Sequence, residues 1–292
     1  MTPGRSRQVK AGQVVSLTPL DGDGIKVKRL AVGGFESRPL PEKEKEMIDL
    51  RLGDWRTALD DIVLDELDAL ICDPPYSKRT HEGNSKMEQF DLNGHAPRRN
   101  LSYTHWNGDD VREFVEYWHP RTKSWMACMC DDLLIRDYRE AFAAVGRLDF
   151  APVPCIWNRP RMGGDGPASC TVYLMTARRR TAAAAKCGSL PGWYGPITAP
   201  RATDPDHHIG GKPAEIMRAI IGDYTRPGDL VADPVAGGGT TLLAAYQTGR
   251  RAIGAELDPA THAKAQARLD RALAQPHLFD PGLQRAVQER LV

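Results

Sequence analysis

The carboxyl third of the chain contains the segment that most constrains the fold. Residues 229–233 form an apolar run that ends in an acid, and a turn of small residues, 234–241, follows directly. Residues 242–248 have helical character, and residues 251–256 are a second apolar run that also ends in an acid. This order predicts two parallel strands joined by a crossover helix. We therefore expect an α/β sheet that binds its ligand at the carboxyl ends of the strands.

The turn at 234–241 has the sequence Pro-Val-Ala-Gly-Gly-Gly-Thr-Thr. Its glycines would let the backbone approach a ligand closely, and the amides at the start of the following helix would face that ligand. Glu256 lies at the spacing at which an acid binds ribose hydroxyls. The turn has neither the G-x-G-x-x-G pattern nor the Gly-Lys-Ser/Thr of a P-loop. It therefore predicts a nucleoside ligand without phosphates, and a plain strand-to-helix connection is the alternative.

A second apolar run, residues 67–72, ends in Asp73-Pro74-Pro75-Tyr76. Proline cannot donate a hydrogen bond to a neighbouring strand, so the strand must stop there and its carbonyls stay free. A carboxylate, a fixed carbonyl and a flat aromatic ring could together hold an exocyclic amino group on a planar ring. A surface turn capped by the acid is the alternative for these four residues.

Strands and helices alternate along the rest of the chain, which favours a mainly parallel α/β sheet. We expect an amino-terminal arm at 1–45 with short strands around a turn at 21–24, one domain at 46–275, and a carboxyl-terminal helix at 276–292. The helix starting at 109 should be capped by Asp109 or Asp110. The predicted helices are 55–61, 109–118, 132–145, 214–224, 242–248 and 259–273.

Residues 77–107 form a long polar stretch with basic and aromatic side chains. Such a long loop in a compact domain is usually functional or mobile. We expect it to contact a phosphate chain and a base, and a disordered surface loop is the alternative. A second basic loop, rich in glycine, lies at 158–164. The candidate substrate-binding residues in the two loops are Ser77, Arg79, His81, Trp106, Arg159 and Arg161.

Composition excludes several other classes of protein. The 292 residues carry a formal charge of +1, which argues mildly against a nucleic-acid partner but does not exclude a local basic face. The six cysteines are scattered without a C-x-x-C spacing, so we expect buried free thiols and no metal site. No apolar run is long enough to cross a bilayer, and no signal peptide is evident, so we expect a cytoplasmic protein without membrane contact.

Taken together, these motifs resemble the S-adenosylmethionine-dependent DNA amino-methyltransferases that act on adenine N6 or cytosine N4. Asp73 to Tyr76 is similar to their catalytic motif. Residues 233–241 are similar to their cofactor motif, Asp-Pro-Phe-x-Gly-Ser-Gly-Thr-Thr, with Val235 and Gly238 in place of Phe and Ser. Residues 208–213 are similar to His-Pro-Thr-x-Lys-Pro, and Gly53-Asp54 matches an acidic turn of the family. The catalytic motif comes first, which is the order of the beta group, and the resemblance covers residues 48–269.

The resemblance implies a Rossmann-like class I methyltransferase fold, with a mostly parallel seven-stranded sheet and helices on both faces. It also implies S-adenosylmethionine as cofactor. Glu256 would bind the ribose hydroxyls, Asp54 would lie near the adenine, Asp233 would bind the amino group, and Lys212 would lie near the carboxylate end. The other implied cofactor residues are His208, Ala236, Gly237, Gly239, Thr240 and Thr241.

The resemblance also implies a mechanism and a partner. The Asp73 carboxylate and the Pro74 carbonyl would accept hydrogen bonds from the target amine, and Tyr76 would stack on a base flipped out of double-stranded DNA. No covalent enzyme intermediate is needed, so Cys72 is expected to be a buried strand residue. The protein would act as a monomer or homodimer.

Several alternatives stay open. Asp73 favours adenine, because cytosine-N4 enzymes more often have Ser there, but that rule has exceptions. An enzyme acting on RNA or another amine, and a non-catalytic binding module, are the other possibilities. Only residues 181–206 lack an obvious core role and could form a minimal recognition region, together with the loop at 77–107. We therefore expect short or relaxed sequence recognition, as in solitary modification enzymes, and a restriction-modification partner is the alternative.

Overall fold

The computed structural model describes residues 15–19, 25–29, 47–81, 104–161, 169–180, 188–198 and 211–274. The chain divides into two units, Met1–Pro39 and Leu40–Val292. In the first unit, strands β1 (Val15–Pro19) and β2 (Ile25–Arg29) form an antiparallel hairpin in which Pro19 pairs with Ile25. The hairpin flanks the turn predicted at 21–24.

In the described part of the second unit, nine strands form one sheet. The five strands β3, β11, β10, β4 and β5 follow one another in this spatial order and are all parallel. The sheet then continues through β8, which is antiparallel to β5 and β7, and ends at β9, while β6 pairs with β8. The strands are β3 (Ile48–Leu52), β4 (Leu67–Cys72), β5 (Thr122–Cys130), β6 (Leu148–Asp149), β7 (Val153–Arg161), β8 (Ser169–Arg178), β9 (Tyr194–Ile197), β10 (Leu230–Asp233) and β11 (Arg251–Glu256).

The predicted mainly parallel α/β sheet is confirmed, but the predicted count of seven strands is wrong. The strands without a clear sequence signal are β6, which has two residues, and β9, with the sequence Tyr-Gly-Pro-Ile. Glycine and proline are unusual inside strands. β9 forms because it pairs with β7.

The six helices predicted between residues 55 and 273 are confirmed, with shorter bounds in several cases. They are α1 (Trp55–Ala58), α2 (Gly108–Trp118), α3 (Ile135–Ala144), α4 (Ala214–Tyr224), α5 (Thr240–Gln247) and α6 (Pro259–Leu273). The predicted cap of α2 is wrong. Asn107 caps this helix by accepting from the backbone N–H groups of Asp109 and Asp110, and the Asp110 carboxylate accepts from the Asn107 N–H at 2.8 Å. This reciprocal pair satisfies two donors that the helix leaves open.

Two hydrophobic clusters lie on opposite faces of the sheet, because successive strand residues point to opposite sides. Ala69 and Ile71 of β4 belong to one cluster together with residues of α4, α5 and α6. Leu70 and Cys72 belong to the other cluster together with residues of α1, α2 and α3. Helices therefore cover both faces of the sheet, as predicted. The polar residues at the ends of the strands remain available to form a site.

Part of the region predicted to lack a core role does have one. Tyr194 and Ile197 of β9 are buried in the core, and the Tyr194 hydroxyl donates to Asp223 Oδ2 at 2.8 Å. The prediction for 181–206 is therefore wrong for these residues. The rest of that region, apart from 188–198, lies outside the described residues, as do 82–103 and the predicted helix at 276–292.

Both ends of the predicted loop at 77–107 are described. Ser77 forms a parallel bridge with Trp106, and the Trp106 N–H donates to the Tyr76 carbonyl at 3.0 Å. The two described ends of this stretch therefore meet directly after the Asp73–Tyr76 turn. Within the described ranges, no helix is both long and apolar enough to cross a membrane.

Candidate active site

Acidic side chains converge at one edge of the sheet. β4, β10 and β11 are adjacent and parallel, so their carboxyl ends meet at this edge. Asp73 follows β4, Asp233 ends β10 and Glu256 ends β11. Asp54 follows β3, the next strand beyond β11. The structure therefore brings together the four acids that the sequence singles out.

The glycine turn after β10 has the backbone that its sequence predicts. Gly237 and Gly239 have φ angles of 53° and 72°, a left-handed conformation that residues with a Cβ rarely adopt. The Gly237 N–H donates to Glu256 Oε2 at 2.9 Å, and the Asp258 N–H donates to Oε1 at 2.8 Å. Burial raises the pKa of Glu256, and these two N–H donors oppose the rise. The carboxylate is thus held in place and keeps free lone pairs for a ligand.

Arg268 of α6 supports this turn and was missed by the sequence reasoning. Its Nη1 donates to the Gly238 carbonyl and to Thr240 Oγ1, both at 2.9 Å. The turn is also closely backed by α6, since a Cβ on Gly239 would lie 3.4 Å from Leu269 Cδ1. No sequence signal identifies Arg268, because it is one of several basic residues on an amphipathic helix.

Asp233 is a buried acid, with 3% of its surface exposed. Burial raises its pKa to about 7; hydrogen bonds from Thr241 and the Val235 N–H oppose the rise, while the charges of Asp73 and Glu256 add to it. A carboxylate kept in such a place is suited to a positively charged ligand group, because ligand charge would offset the cost of burial.

Asp54 lies at the same edge, but its carboxylate contacts a residue close to it in sequence. It caps α1 by accepting from the Arg56 N–H at 2.9 Å, and it forms an ion pair with the Arg56 guanidinium at 3.1 Å. The preceding Gly53 N–H donates to the Glu256 carbonyl at 2.9 Å, which ties this turn to β11. Leu52 and Leu257, beside these acids, are largely exposed, at 52% and 64%. The edge therefore offers apolar surface next to its carboxylates.

The Asp73–Tyr76 turn forms a second group of contacts with Lys212, the residue two positions before α4. Tyr76 donates its hydroxyl to Asp73 Oδ1 at 2.8 Å, and Lys212 Nζ donates to Asp73 Oδ2 at 2.5 Å. The ammonium also lies 5.0 Å from the centre of the Tyr76 ring. Burial, with the charge of Asp73, raises the pKa of the Tyr76 hydroxyl well above its usual value, so this group stays a neutral donor. Lys212, predicted among the cofactor residues, thus contacts the predicted catalytic acid.

Asp131 anchors the chain after this turn and was also missed. It follows β5 directly and accepts from Ser77 Oγ at 2.5 Å, from the Ser77 N–H at 3.2 Å and from Thr80 Oγ1 at 2.5 Å. Asp131 and Ser77 are both buried. The Ser77 hydroxyl, predicted to contact a substrate, is therefore committed to Asp131. A signal for Asp131 existed, since it is an acid at the end of an apolar strand, as Asp73 and Asp233 are.

Three of the other predicted substrate residues, Arg79, His81 and Trp106, lie near the two described ends of the loop. Arg79 forms an ion pair with Asp132 on the surface. The His81 and His105 rings lie 6.0 Å apart. Trp106 packs 5.1 Å from the Phe114 ring, centre to centre, which gives it a structural role. Arg159 and Arg161 are in β7, but their side chains, like all of His208, lie outside the described residues.

The cysteines near the site are buried thiols. Cys72 and Cys128 lie side by side on β4 and β5, with their Sγ atoms 3.6 Å apart. Burial raises the pKa of Cys72, which makes it a poor nucleophile. The prediction of a buried strand residue at Cys72 is confirmed. In the part of the chain that the structure describes, no group of three or more His, Cys, Asp or Glu could hold a metal ion.

Comparison with known proteins identifies relatives of this site. Residues 181–267 match the N6/N4 family model described as DNA methylase. YubD, a candidate methylase of Escherichia coli K12, is 44% identical over 63 residues, which are 22% of this chain and 28% of YubD. The chain thus matches less than a third of the length of this curated relative.

Two solved structures share the fold. The M1.HpyAVI–SAM complex has a TM-score of 0.55 and 21% identity, covering 76% of this chain and 100% of the other. The cytosine-N4-specific PvuII DNA methyltransferase has a TM-score of 0.52 and 14% identity, covering 77% of this chain and 92% of the other. The predicted Rossmann-like class I fold is therefore confirmed.

Proposed function

We propose that this chain, whose residues 181–267 match the N6/N4 DNA methylase family model, transfers a methyl group from S-adenosylmethionine to the N6 amine of adenine in DNA. The observation that carries this proposal is the convergence of two half-sites at one sheet edge. One is the Asp73–Tyr76 turn, and the other is the glycine turn with Asp233 and Glu256.

The cofactor half-site is complementary to the chemical groups of S-adenosylmethionine, which when bound supplies a methyl group on a positively charged sulfur. Glu256 would accept hydrogen bonds from the ribose hydroxyls through the lone pairs that Gly237 and Asp258 leave open. Asp233 would bind the amino group. Leu52 and Leu257 offer exposed apolar surface for the adenine ring, next to Asp54.

The remaining cofactor residues would line the methionine portion. Gly237 and Gly239 have the backbone conformation that permits a close approach, and α5 begins directly after them. The start of a helix favours a negative group, such as the cofactor carboxylate. Ala236, Thr240 and Thr241 belong to the same turn and first helical residues, and His208 stays a prediction.

The catalytic half-site would activate the target amine. The lone pair of that amine is delocalised into the base, so it is a poor nucleophile. Asp73 and the Pro74 carbonyl would accept its two N–H groups and draw the nitrogen towards tetrahedral geometry, in line with the methyl group. The amine nitrogen would take the methyl group as the bond from that carbon to the sulfur breaks, and it would then release a proton to Asp73 or to solvent. Most of the acceleration would come from this alignment.

DNA would be the macromolecular partner. A base inside a duplex cannot reach a sheet edge, so the target base must be flipped out. The partly buried Tyr76 ring would then stack on it, with Pro75 completing the turn. Basic residues near the loop entrance, such as Arg79, would meet the phosphates.

Cytosine N4 is the second candidate target. Its support is the fold shared with the cytosine-N4-specific PvuII enzyme, and the Asp at position 73 is the argument for adenine.

The test is to incubate the protein with labelled S-adenosylmethionine and unmethylated DNA or RNA, digest the product and identify the modified nucleoside by mass. We expect N6-methyladenine from DNA. N4-methylcytosine would overturn the choice of base, and label on RNA alone would overturn the choice of partner. Cofactor binding with no label on any nucleic acid would indicate a non-catalytic binding module.

A further inference from the structure

Lys212 lies in an unusual place for a lysine. Its side chain is only 7% exposed, and its Nζ is 2.5 Å from Asp73 Oδ2, a residue 139 positions earlier in the chain. The same ammonium lies 5.0 Å from the centre of the Tyr76 ring. Lysine is rarely buried unless it is paired, so this contact is a built feature of the site.

We propose that Lys212 is a positioning residue for the target amine, which holds the Asp73 carboxylate in its working orientation, and that it is not a ligand of the cofactor carboxylate. This proposal rests on the proposed function, since it assigns Lys212 to the catalytic half of that site.

The first argument is geometric. Within the described residues, each oxygen of Asp73 accepts from one donor: Tyr76 on Oδ1 and Lys212 on Oδ2. Two donors from different segments fix the plane of the carboxylate, because rotation of the group would break both bonds. A carboxylate oxygen can accept a second hydrogen bond, so both oxygens stay available to the amine. Small errors of placement are costly in such a reaction.

The second argument concerns charge. Asp73, Asp233 and Glu256 lie at one edge, and their mutual repulsion contributes to the pKa of about 7 at Asp233. The Lys212 ammonium bonded to Asp73 brings a positive charge to this group of carboxylates and so offsets part of their repulsion.

The test compares Lys212→Met, Lys212→Arg and the control Lys264→Met, an exposed lysine of α6. Affinity for S-adenosylmethionine is measured by titration calorimetry, and the methyl-transfer rate by single turnover at saturating cofactor and DNA. We expect Lys212→Met to keep the cofactor Kd within about threefold and to lose roughly 100-fold in rate, the loss expected from misplacing a reacting group. Lys212→Arg should recover part of the rate, and Lys264→Met should behave as the parent protein.

The opposite pattern would overturn the proposal. If Lys212→Met weakens cofactor binding by about tenfold or more and regains the parent rate once cofactor saturates, Lys212 is a cofactor ligand. A rate loss that Lys212→Arg does not relieve at all would also count against a role in holding a carboxylate.

A stability measurement separates this proposal from the proposed function. Urea unfolding of Lys212→Met, Asp73→Asn and the double variant forms a double-mutant cycle. We expect the two single effects to be clearly non-additive, because both variants remove the same ion pair between Lys212 and Asp73. Additive effects would overturn the contact, whatever the activity. If the parent protein methylates nothing while the cycle shows coupling, the proposed function fails and the contact stands, but the positioning role fails with the function.

Discussion

Asp73 is the residue on which the proposed chemistry depends most directly. Replacing it with Ala should abolish methyl transfer, with a loss of at least 100-fold to 1000-fold typical of removing a group that stabilises a transition state. Cofactor affinity should change little, because Asp73 belongs to the other half-site. Methyl transfer and cofactor titration are measured on the same preparation, with Asp60→Ala, an exposed acid, as control.

Truncation at Asp73 also leaves Lys212 buried without its partner, which is destabilising. Asp73→Asn keeps an acceptor for Lys212 and should unfold at a higher temperature than Asp73→Ala, while it transfers methyl groups as poorly. Full activity in either folded variant would refute the mechanism.

Asp233 makes a prediction about pH. Its pKa is about 7 in the folded protein and near 3.8 when it is unfolded and exposed. The folded state therefore holds the proton more tightly, and stability is lost as the pH rises from about 4 to about 7. Asp233→Asn is neutral throughout, so its advantage in unfolding free energy over the parent should grow across this range and level off above it.

The measurement for Asp233 is urea unfolding of the cofactor-free protein at several pH values between about 4.5 and 8. Asp270→Asn, an exposed acid on α6, is the control and should show no such trend. A difference between Asp233→Asn and the parent that is flat with pH would contradict the raised pKa. Asp233→Asn should also weaken cofactor binding, because it removes the negative charge proposed to face the amino group.

At the scale of elements, the packing of β11 against β10 and α5 depends on Gly254. A Cβ there would lie 2.6 Å from the Asp233 carbonyl and 3.0 Å from Leu242 Cδ1. Gly254→Ala should therefore destabilise the protein by about 1–3 kcal/mol, as overpacked core substitutions do. It should also displace Asp233 and weaken cofactor binding.

Gly222→Ala is a matched control for Gly254→Ala. Gly222 lies in α4 with nothing within 4 Å of an added Cβ, so this change should stabilise the protein by about 0.5–1 kcal/mol. Urea unfolding measures both variants, and equal effects of the two would contradict the packing described at β11.

α6 supplies hydrogen bonds to the glycine turn through Arg268. Arg268→Met removes the donor to the Gly238 carbonyl and to Thr240 Oγ1, so the glycine turn should lose its fixed geometry. We expect cofactor affinity to fall about tenfold, which corresponds to one or two hydrogen bonds. Lys264→Met on the same helix is the control. Unchanged cofactor affinity in folded Arg268→Met would show that the turn does not need this support.

At the scale of the whole molecule, the region expected to recognise the target sequence is short. Part of the region expected to recognise DNA belongs to the sheet, since Tyr194 and Ile197 of β9 are buried. We therefore expect recognition of a short or relaxed sequence. Methylation sequencing of DNA from cells that express the protein, with Asp73→Ala as the inactive control, measures this directly. One long and strict motif would contradict the expectation.

Most of the fold was predictable from the chain itself. The parallel strands and their helices follow from apolar runs bounded by acids, prolines and glycines, and so do the positions of Asp73, Asp233 and Glu256. Strand ends at one sheet edge converge in any parallel α/β fold, which is why local patterns sufficed for these residues. β9 and β6 were not predictable, because their composition does not favour a strand. They form strands because they pair with neighbouring strands.

The sequence by itself determined which acids and which glycine turn form the two half-sites, because each is a local signal at the end of a strand. Only the tertiary structure decided the partners of these groups. Lys212 contacts Asp73, Asp131 contacts Ser77, and Arg268 contacts the glycine turn. Each of these contacts joins segments that are distant in sequence. Such contacts depend on how whole elements pack together, and no local pattern encodes them.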